Sequence, residues 1–200
     1  MAKIEVDFRP LNQDDIPQIT KWISDFEDVA LFDRNLPVPV SDKFVEESWK
    51  KVFEYHEPPS SLWYMTQTSK GDPIGMCGLQ SINYIHGDAV VPMFVTKPYR
   101  AMGLASVMML LLIDLGFNAL RLHRISTVYR SDNRRSASLT EKYGFVEEGR
   151  VREGWFGNGR RLDVVEVGLL KSEWAKTRPG IVEGLNKSQF KLRQETMLLD

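Results

Sequence analysis

Arg100-Ala101-Met102-Gly103-Leu104-Ala105 decides how this chain is read. It follows a short apolar strand, Met93-Phe94-Val95, and precedes a long apolar helix, Val107 to Phe117. A strand that passes through a glycine turn into a helix leaves several backbone N–H groups without intrahelical partners. The helix dipole adds positive potential at the same point, so the turn suits a phosphate or pyrophosphate. Gly103 lets the backbone approach an anion with no side chain between them, and the small Ala105 keeps the next turn open. The hydroxyl of Ser106 can add one more bond.

Further along stand Tyr129-Arg130-Ser131-Asp132-Asn133-Arg134-Arg135-Ser136, then Leu139 and Lys142-Tyr143-Gly144-Phe145. Taken with the glycine turn, this resembles motifs A and B of the GCN5-related N-acetyltransferase (GNAT) superfamily. The similarity extends over most of residues 4–174. Trp22, Asn133-Arg134-Arg135-Ser136 and the run Asp163 to Trp174 resemble most the branch of the ribosomal-protein alanine acetyltransferases. That branch also holds enzymes acting on polyamines, aminosugars and antibiotics.

The resemblance implies an α/β (α+β) fold with a mixed, mostly antiparallel, splayed sheet flanked by helices. It implies acetyl-CoA as co-substrate, no metal, and an amine acceptor: a protein N-terminus, a polyamine, an aminosugar or an antibiotic. Residues Arg100, Ala101, Met102, Gly103, Leu104, Ala105 and Ser106 would hold the pyrophosphate. The backbone of Phe94 and Val95 would pair with pantetheine, and Asn133 would lie against that arm. Ser136 would sit near the sulfur, where its hydroxyl could donate to the leaving thiolate. On local grounds alone, Asn133 turns the chain and Ser136 caps the next helix, and the two roles can coexist. Many superfamily members place a tyrosine acid where this chain has Thr140, and the relatives' glutamate base aligns with Val90. Asp88, two residues earlier on the same strand face, is the substitute base, with His86 or a water chain as alternatives. The missing base also motivates a second reading, an inactive acyl-CoA-binding sensor or scaffold.

Composition sets the remaining bounds. Two hundred residues, 42% hydrophobic with five Trp, suit one folded domain. A net charge of −1 gives no global footprint for nucleic acid, and no Walker lysine follows Gly103. One cysteine and three scattered histidines offer neither a disulfide nor zinc-ligand spacing. The N-terminus lacks the apolar stretch of a signal peptide, and Val107 to Ile113 is far short of the roughly 20 residues that span a bilayer. A cytoplasmic protein without membrane partners is expected.

Periodicity supplies the elements. A strand covers Glu5 to Arg9, and a helix runs from about Gln13 to Ser24 behind an Asn12/Asp15 capping box. Phe32 to Val40 reads as an extended loop. Ser41 caps a second helix to about Tyr55, with Phe44, Val45, Trp49, Val52 and Phe53 inward. Strands at Leu62–Thr68, Pro73–Gln80 and Ala89–Val95 follow, then a strand at Arg124–Tyr129, a helix at Ser136–Lys142, and a hairpin of 147–156 with 162–170 around Gly157-Asn158-Gly159. Residues 1–174 form the domain. Residues 175–200 are an extension, either a tail or an arm packing through Phe190, Leu192 and Met197-Leu198-Leu199 on a second copy in a homodimer.

Three further groups are candidates. Asp25, Glu27, Asp28 and Asp33, interleaved with Phe26 and Phe32, give the first loop an acidic, aromatic edge suited to a cationic amine. Arg130, Arg134 and Arg135 either meet the 3′-phosphate of CoA or are surface charge. Trp155 and Phe156 either shape the acceptor pocket or pack in a dimer interface, while His123, Cys77 and Tyr143 read as core.

Overall fold

The computed structural model describes residues 3–32, 34, 40–54, 56–157, 159–185 and 188–192; of Phe26 and Val29 it describes only the backbone. Among the described residues nine strands form one mixed sheet: β1 (Ile4–Pro10), β2 (Ser61–Thr68), β3 (Pro73–Asn83), β4 (Asp88–Val90), β5 (Met93–Val95), β6 (Arg124–Arg130), β7 (Val146–Gly157), β8 (Arg160–Leu170) and β9 (Phe190–Leu192). Their spatial order is β7-β8-β6-β4-β3-β2-β1-β9, with β5 pairing β3 outside that path. The helices are α1 (Ile16–Ile23), α2 (Phe26–Phe32), α3 (Asp42–Val52), α4 (Leu104–Asp114), α5 (Arg134–Lys142) and α6 (Lys171–Leu185).

The single strand expected over 89–95 is two. Pro92 cannot donate to a ladder, and the pairing breaks there. β4 pairs the far half of β3 and runs parallel to β6, while β5 pairs the near half of β3 through Gly75–Val95, Met76–Phe94 and Cys77–Met93. Among the described residues the second edge of β5 therefore has no strand beside it. The sheet opens there into a V between β5 and β6.

The two faces of the sheet carry different cores. α4 is buried at every position except Ala105, as its uninterrupted apolar run requires, and it packs with Phe117, Tyr143 and Trp174 on one face. Its C-terminus widens into a π turn over 115–119. On the other face, Ile16, Ile19 and Ile23 of α1 meet Val45 and Trp49 of α3, Met65, Met76 and Phe94. The Asn12 capping box is present: Asn12 Oδ1 accepts from Asp14 N–H at 2.9 Å and Asp15 accepts from Asn12 N–H at 3.0 Å.

Several expectations change. α3 ends at Val52, and Phe44 is 45% exposed because Val45 and Trp49, not Phe44, face α1. Most of the expected loop from Phe32 to Val40 lies outside the described residues, and the chain just before it is helical. His123 is exposed, whereas Cys77 and Tyr143 are fully buried. Residues 175–185 continue α6, and β9 adds a parallel strand to β1. Phe190, expected either in a tail or in an arm on a second copy, is buried in this chain's own core against Tyr99. Residues 193–200 and Asn158 lie outside the described residues. Among the described residues no helix is long and apolar enough to cross a membrane.

Candidate active site

A cleft of about 630 Å³ lies between β5 and α5. The backbone of Met93, Phe94 and Val95 forms one wall, and Asn133, Ser136 and Leu139 at the start of α5 form the other. At its end lies the turn Arg100–Ser106. Gly103 has φ +96°, a conformation that costs glycine nothing, and a Cβ there would come within 3.0 Å of Ser188 Oγ. Ala101 is also left-handed, at φ +61°. Ser106 N–H already donates to the carbonyl of Gly103 at 3.1 Å; the N–H groups of Leu104 and Ala105 precede any intrahelical acceptor and point along the helix's positive end. Met102 is absent from the cleft wall; its side chain packs toward the α4 core.

Cations ring the turn. Lys142 reaches Ser106 Oγ at 3.3 Å, and Arg134 and Arg135 line the same cleft. Arg130 does not join them: it is 4% exposed, bound to Asp132 at 2.6 Å and to the carbonyl of Ala30. Arg100 contributes backbone to the turn, but its side chain points elsewhere. Its guanidinium pairs with Asp28 at 2.8 Å, donates to the carbonyl of Val95 at 2.8 Å and lies over the Phe94 ring.

That pairing explains the acidic run near α2. Asp25 and Glu27 bind Lys97, whose ammonium holds Asp25 below the usual carboxylate range, and Asp28 binds Arg100. Three of the four acids expected to face an amine thus clamp α2 onto the strand–turn segment, where Phe32 meets Phe94 edge-on and Trp22 stacks on the same ring. Asp33 lies outside the described residues. The charge run was legible; its partners, 70 residues away, were not.

At the α5 entrance the cap is Asn133, whose Oδ1 accepts from Ser136 N–H at 3.2 Å. Ser136 is not the cap but sits three residues inside, on the cleft wall. Thr140 is buried and bonded to the carbonyls of Ser136 and Ala137. Tyr143 donates to the carbonyl of Ser106 and so holds α5 against α4, and burial pushes its phenol well above the usual range. Burial pushes the Cys77 thiol up to about 12, which leaves it unreactive.

A second cleft, about 650 Å³, opens on the α1–α3 side of the break in the strand. Val90, Val91 and Pro92 form its floor, and Trp49, Trp63 and Trp155 its walls. Phe32 lines both clefts and stands between them. Trp155 is buried and anchored through Nε1 to the carbonyl of Ala30 at 3.0 Å, whereas Phe156 is 63% exposed. Ser81, at φ +52°, breaks the β3 register where β3 passes this cleft. Thr127 donates to the carbonyl of Val91 at 3.0 Å and fixes the floor to β6.

Asp88 lines neither cleft. It stands at the turn end of β4, opposite Asn83 and Arg124, and its charge acts on Arg124. His86 lies in the same turn, also away from both. The side chains missed by sequence reasoning are Lys142 in the first cleft and Arg34, Lys51 and His56 in the second. Lys142 carried a signal, since it lies one turn beyond Leu139 on the same helix face. The other three gather only through the fold.

Such an arrangement can hold a pyrophosphate at the turn and an extended amide-bearing chain along β5, its end pointing to the break between the clefts.

Residues 5–146 match the family described as Acetyltransferase (GNAT) domain. Spermidine N(1)-acetyltransferase of Vibrio cholerae is 32% identical over 111 residues, 56% of this chain and 64% of that protein. The Escherichia coli K12 spermidine N(1)-acetyltransferase is 23% identical over 169 residues, 84% of this chain and 88% of that one. The provisionally named ribosomal N-acetyltransferase YdaF of Bacillus subtilis is 31% identical over 104 residues, 52% of this chain and 57% of its own. Against YdaF and the Vibrio protein, the chain thus spans less than two thirds of the relative's length. The crystal structure of the Vibrio cholerae spermidine N-acetyltransferase with CoA and spermine superposes with a TM-score of 0.75 at 26% identity, covering 85% of this chain and 98% of that one. With its splayed sheet, its glycine turn and a family match over residues 5–146, this chain belongs to the GNAT acetyltransferase family.

Proposed function

We propose that the protein transfers an acetyl group from acetyl-CoA to a primary amine by direct attack in a ternary complex. The observation that carries this reading is the cleft between β5 and α5. It joins a strand edge that is unpaired among the described residues to a glycine turn at a helix N-terminus, and Lys142, Arg134 and Arg135 line it. Donor binding falls to Gly103, Leu104, Ala105 and Ser106 at the pyrophosphate and to the Phe94 and Val95 backbone along pantetheine. Asn133 and Ser136 face the thioester end. The amine nitrogen attacks the thioester carbon, the C–S bond breaks, and the Ser136 hydroxyl donates to the departing thiolate. Alignment of the two substrates across Phe32 supplies much of the rate, up to roughly 7–11 kcal/mol in favourable intramolecular systems.

The amine must be neutral to attack. No carboxylate lines the second cleft among the described residues, and Val90 stands on its floor. Arg34 and Lys51 do the equivalent work by charge: like charges nearby disfavour the ammonium and lower the acceptor's pKa. The proton then leaves through water.

Val90 also supports the competing reading, a CoA-binding module without turnover. Thermal stability with acetyl-CoA, CoA and ATP tests the donor site first. A ligand at a hundredfold excess over its dissociation constant adds about 2.7 kcal/mol to the folded state. A rise in Tm with acetyl-CoA but not ATP supports the assignment, and no rise with any CoA species overturns it. Steady protein-dependent acetylated product excludes the inactive module.

A further inference from the structure

We infer that the acceptor is a small primary amine that also bears an anion, carboxylate or phosphate, on an apolar or aromatic body, and is not a polyamine. This rests on the transferase reading above. The cationic side chains lining the second cleft are Arg34 and Lys51, with the His56 imidazole beside them, and no Asp or Glu joins them among the described residues. Among the described residues the acids nearby are committed elsewhere or line a neighbouring cleft, and Asp33 lies outside the described residues. Asp25, Glu27 and Asp28 hold Lys97 and Arg100, and Glu54 and Glu57 line a shallower cleft of about 430 Å³ beyond His56.

A polyamine placed here would set its non-reacting ammonium groups beside the like charges of Arg34 and Lys51. The Trp faces would attract those groups, but the flanking cations oppose the same charge. An anion has the reverse balance. Arg34 can fork onto a carboxylate or phosphate, Lys51 adds a point charge, and His56 adds an N–H donor. Trp49, Trp63 and Trp155 offer wide apolar walls on which an aromatic or aliphatic body can pack. Trp49 and Trp63 are fixed edge to face, with ring centroids 5.0 Å apart, and Trp155 is anchored by its indole N–H, so the walls are already formed.

Matched pairs test this at saturating acetyl-CoA: tyrosine against tyramine, phosphoethanolamine against ethanolamine, with spermidine as the polyamine arm. The expected result is a kcat/KM at least about tenfold higher for an anionic member than for its neutral parent, and higher than for spermidine. The tyrosine and phosphoethanolamine arms separate carboxylate from phosphate. Lys51→Glu and Arg34→Glu, both at exposed positions, are expected to reduce or invert the ratio. Binding of the same pairs to the CoA-loaded protein reads the preference without turnover. If the anionic members bind more tightly and nothing is acetylated, the transferase reading fails and the pocket's preference stands. Equal binding within each pair, or spermidine as the preferred ligand with no response to charge reversal, overturns the inference.

Discussion

Ser136 and Asp28 lie on the wall of the same cleft and play different parts in this account. Ser136 acts on the leaving thiolate, which carries full charge only as the C–S bond breaks. Ser136→Ala is therefore expected to lower kcat by roughly 10-fold to 100-fold while the acetyl-CoA dissociation constant stays within twofold. Single-turnover rates and equilibrium binding on the same protein check it, and equal rates in mutant and parent would remove Ser136 from the chemistry. Asp28 acts on position instead. Its carboxylate is 7% exposed and pairs with Arg100, so Asp28→Ala leaves a partly buried guanidinium without that partner and frees α2 from the turn. The expected cost is about 1–3 kcal/mol, seen as weaker acetyl-CoA binding more than as slower chemistry. Asp15 offers a pH test at the same scale. Burial raises its pKa, but the hydrogen bonds from Arg9 and from Asn12 N–H outweigh that and leave it lowered. A lowered folded pKa means the unfolded state binds the proton more readily, so this stabilisation is complete above the unfolded value near ~4 and fades as pH falls through the folded value. Denaturant unfolding should accordingly show Asp15→Asn about 1 kcal/mol less stable at neutral pH, with the gap closing in acid.

The elements show where local sequence governs structure and where it does not. Gly103 with the apolar run behind it announced a strand, turn and helix, because a left-handed glycine and an all-round apolar helix leave few other solutions. The Asn12 capping box was equally local. The break at Pro92 was visible as a residue but not as two strands, since which neighbour each half pairs with depends on β3 and β6. α6 was hidden for a different reason. Its sequence is polar and contains Pro179 and Gly180, so its periodicity is weak and it is held by contacts made at a distance. Asp114, fully buried in α4, accepts from Trp174 Nε1 at 2.8 Å and from Arg178 Nε at 2.9 Å and so ties α6 to the core. Asp114→Ala is expected to destabilise the protein by about 3–5 kcal/mol, because two donors lose a buried charged acceptor. At roughly 2–4 °C per kcal/mol for a chain of this size, calorimetry should register a drop in Tm of about 6–20 °C. The site divided along the same line. The donor half was readable because its residues are consecutive, and the acceptor half was not, because Arg34, Lys51 and His56 meet Trp155 only in three dimensions.

At the scale of the whole molecule, one sheet parts at Pro92 and serves two clefts that share Phe32. One is ringed by cations around a helix N-terminus and suits the phosphates of CoA; the other has aromatic walls and leads to the same break in the strand. That continuity is the physical reason to expect group transfer between two ligands and not storage of one. The most direct test incubates the protein with acetyl-CoA and the amine panel, and follows N-acetylated product by mass spectrometry alongside free thiol. The account predicts product and thiol in one-to-one ratio, dependent on protein, amine and acetyl-CoA together. A folded protein that binds acetyl-CoA yet forms no acetylated product with any of the amines would contradict it.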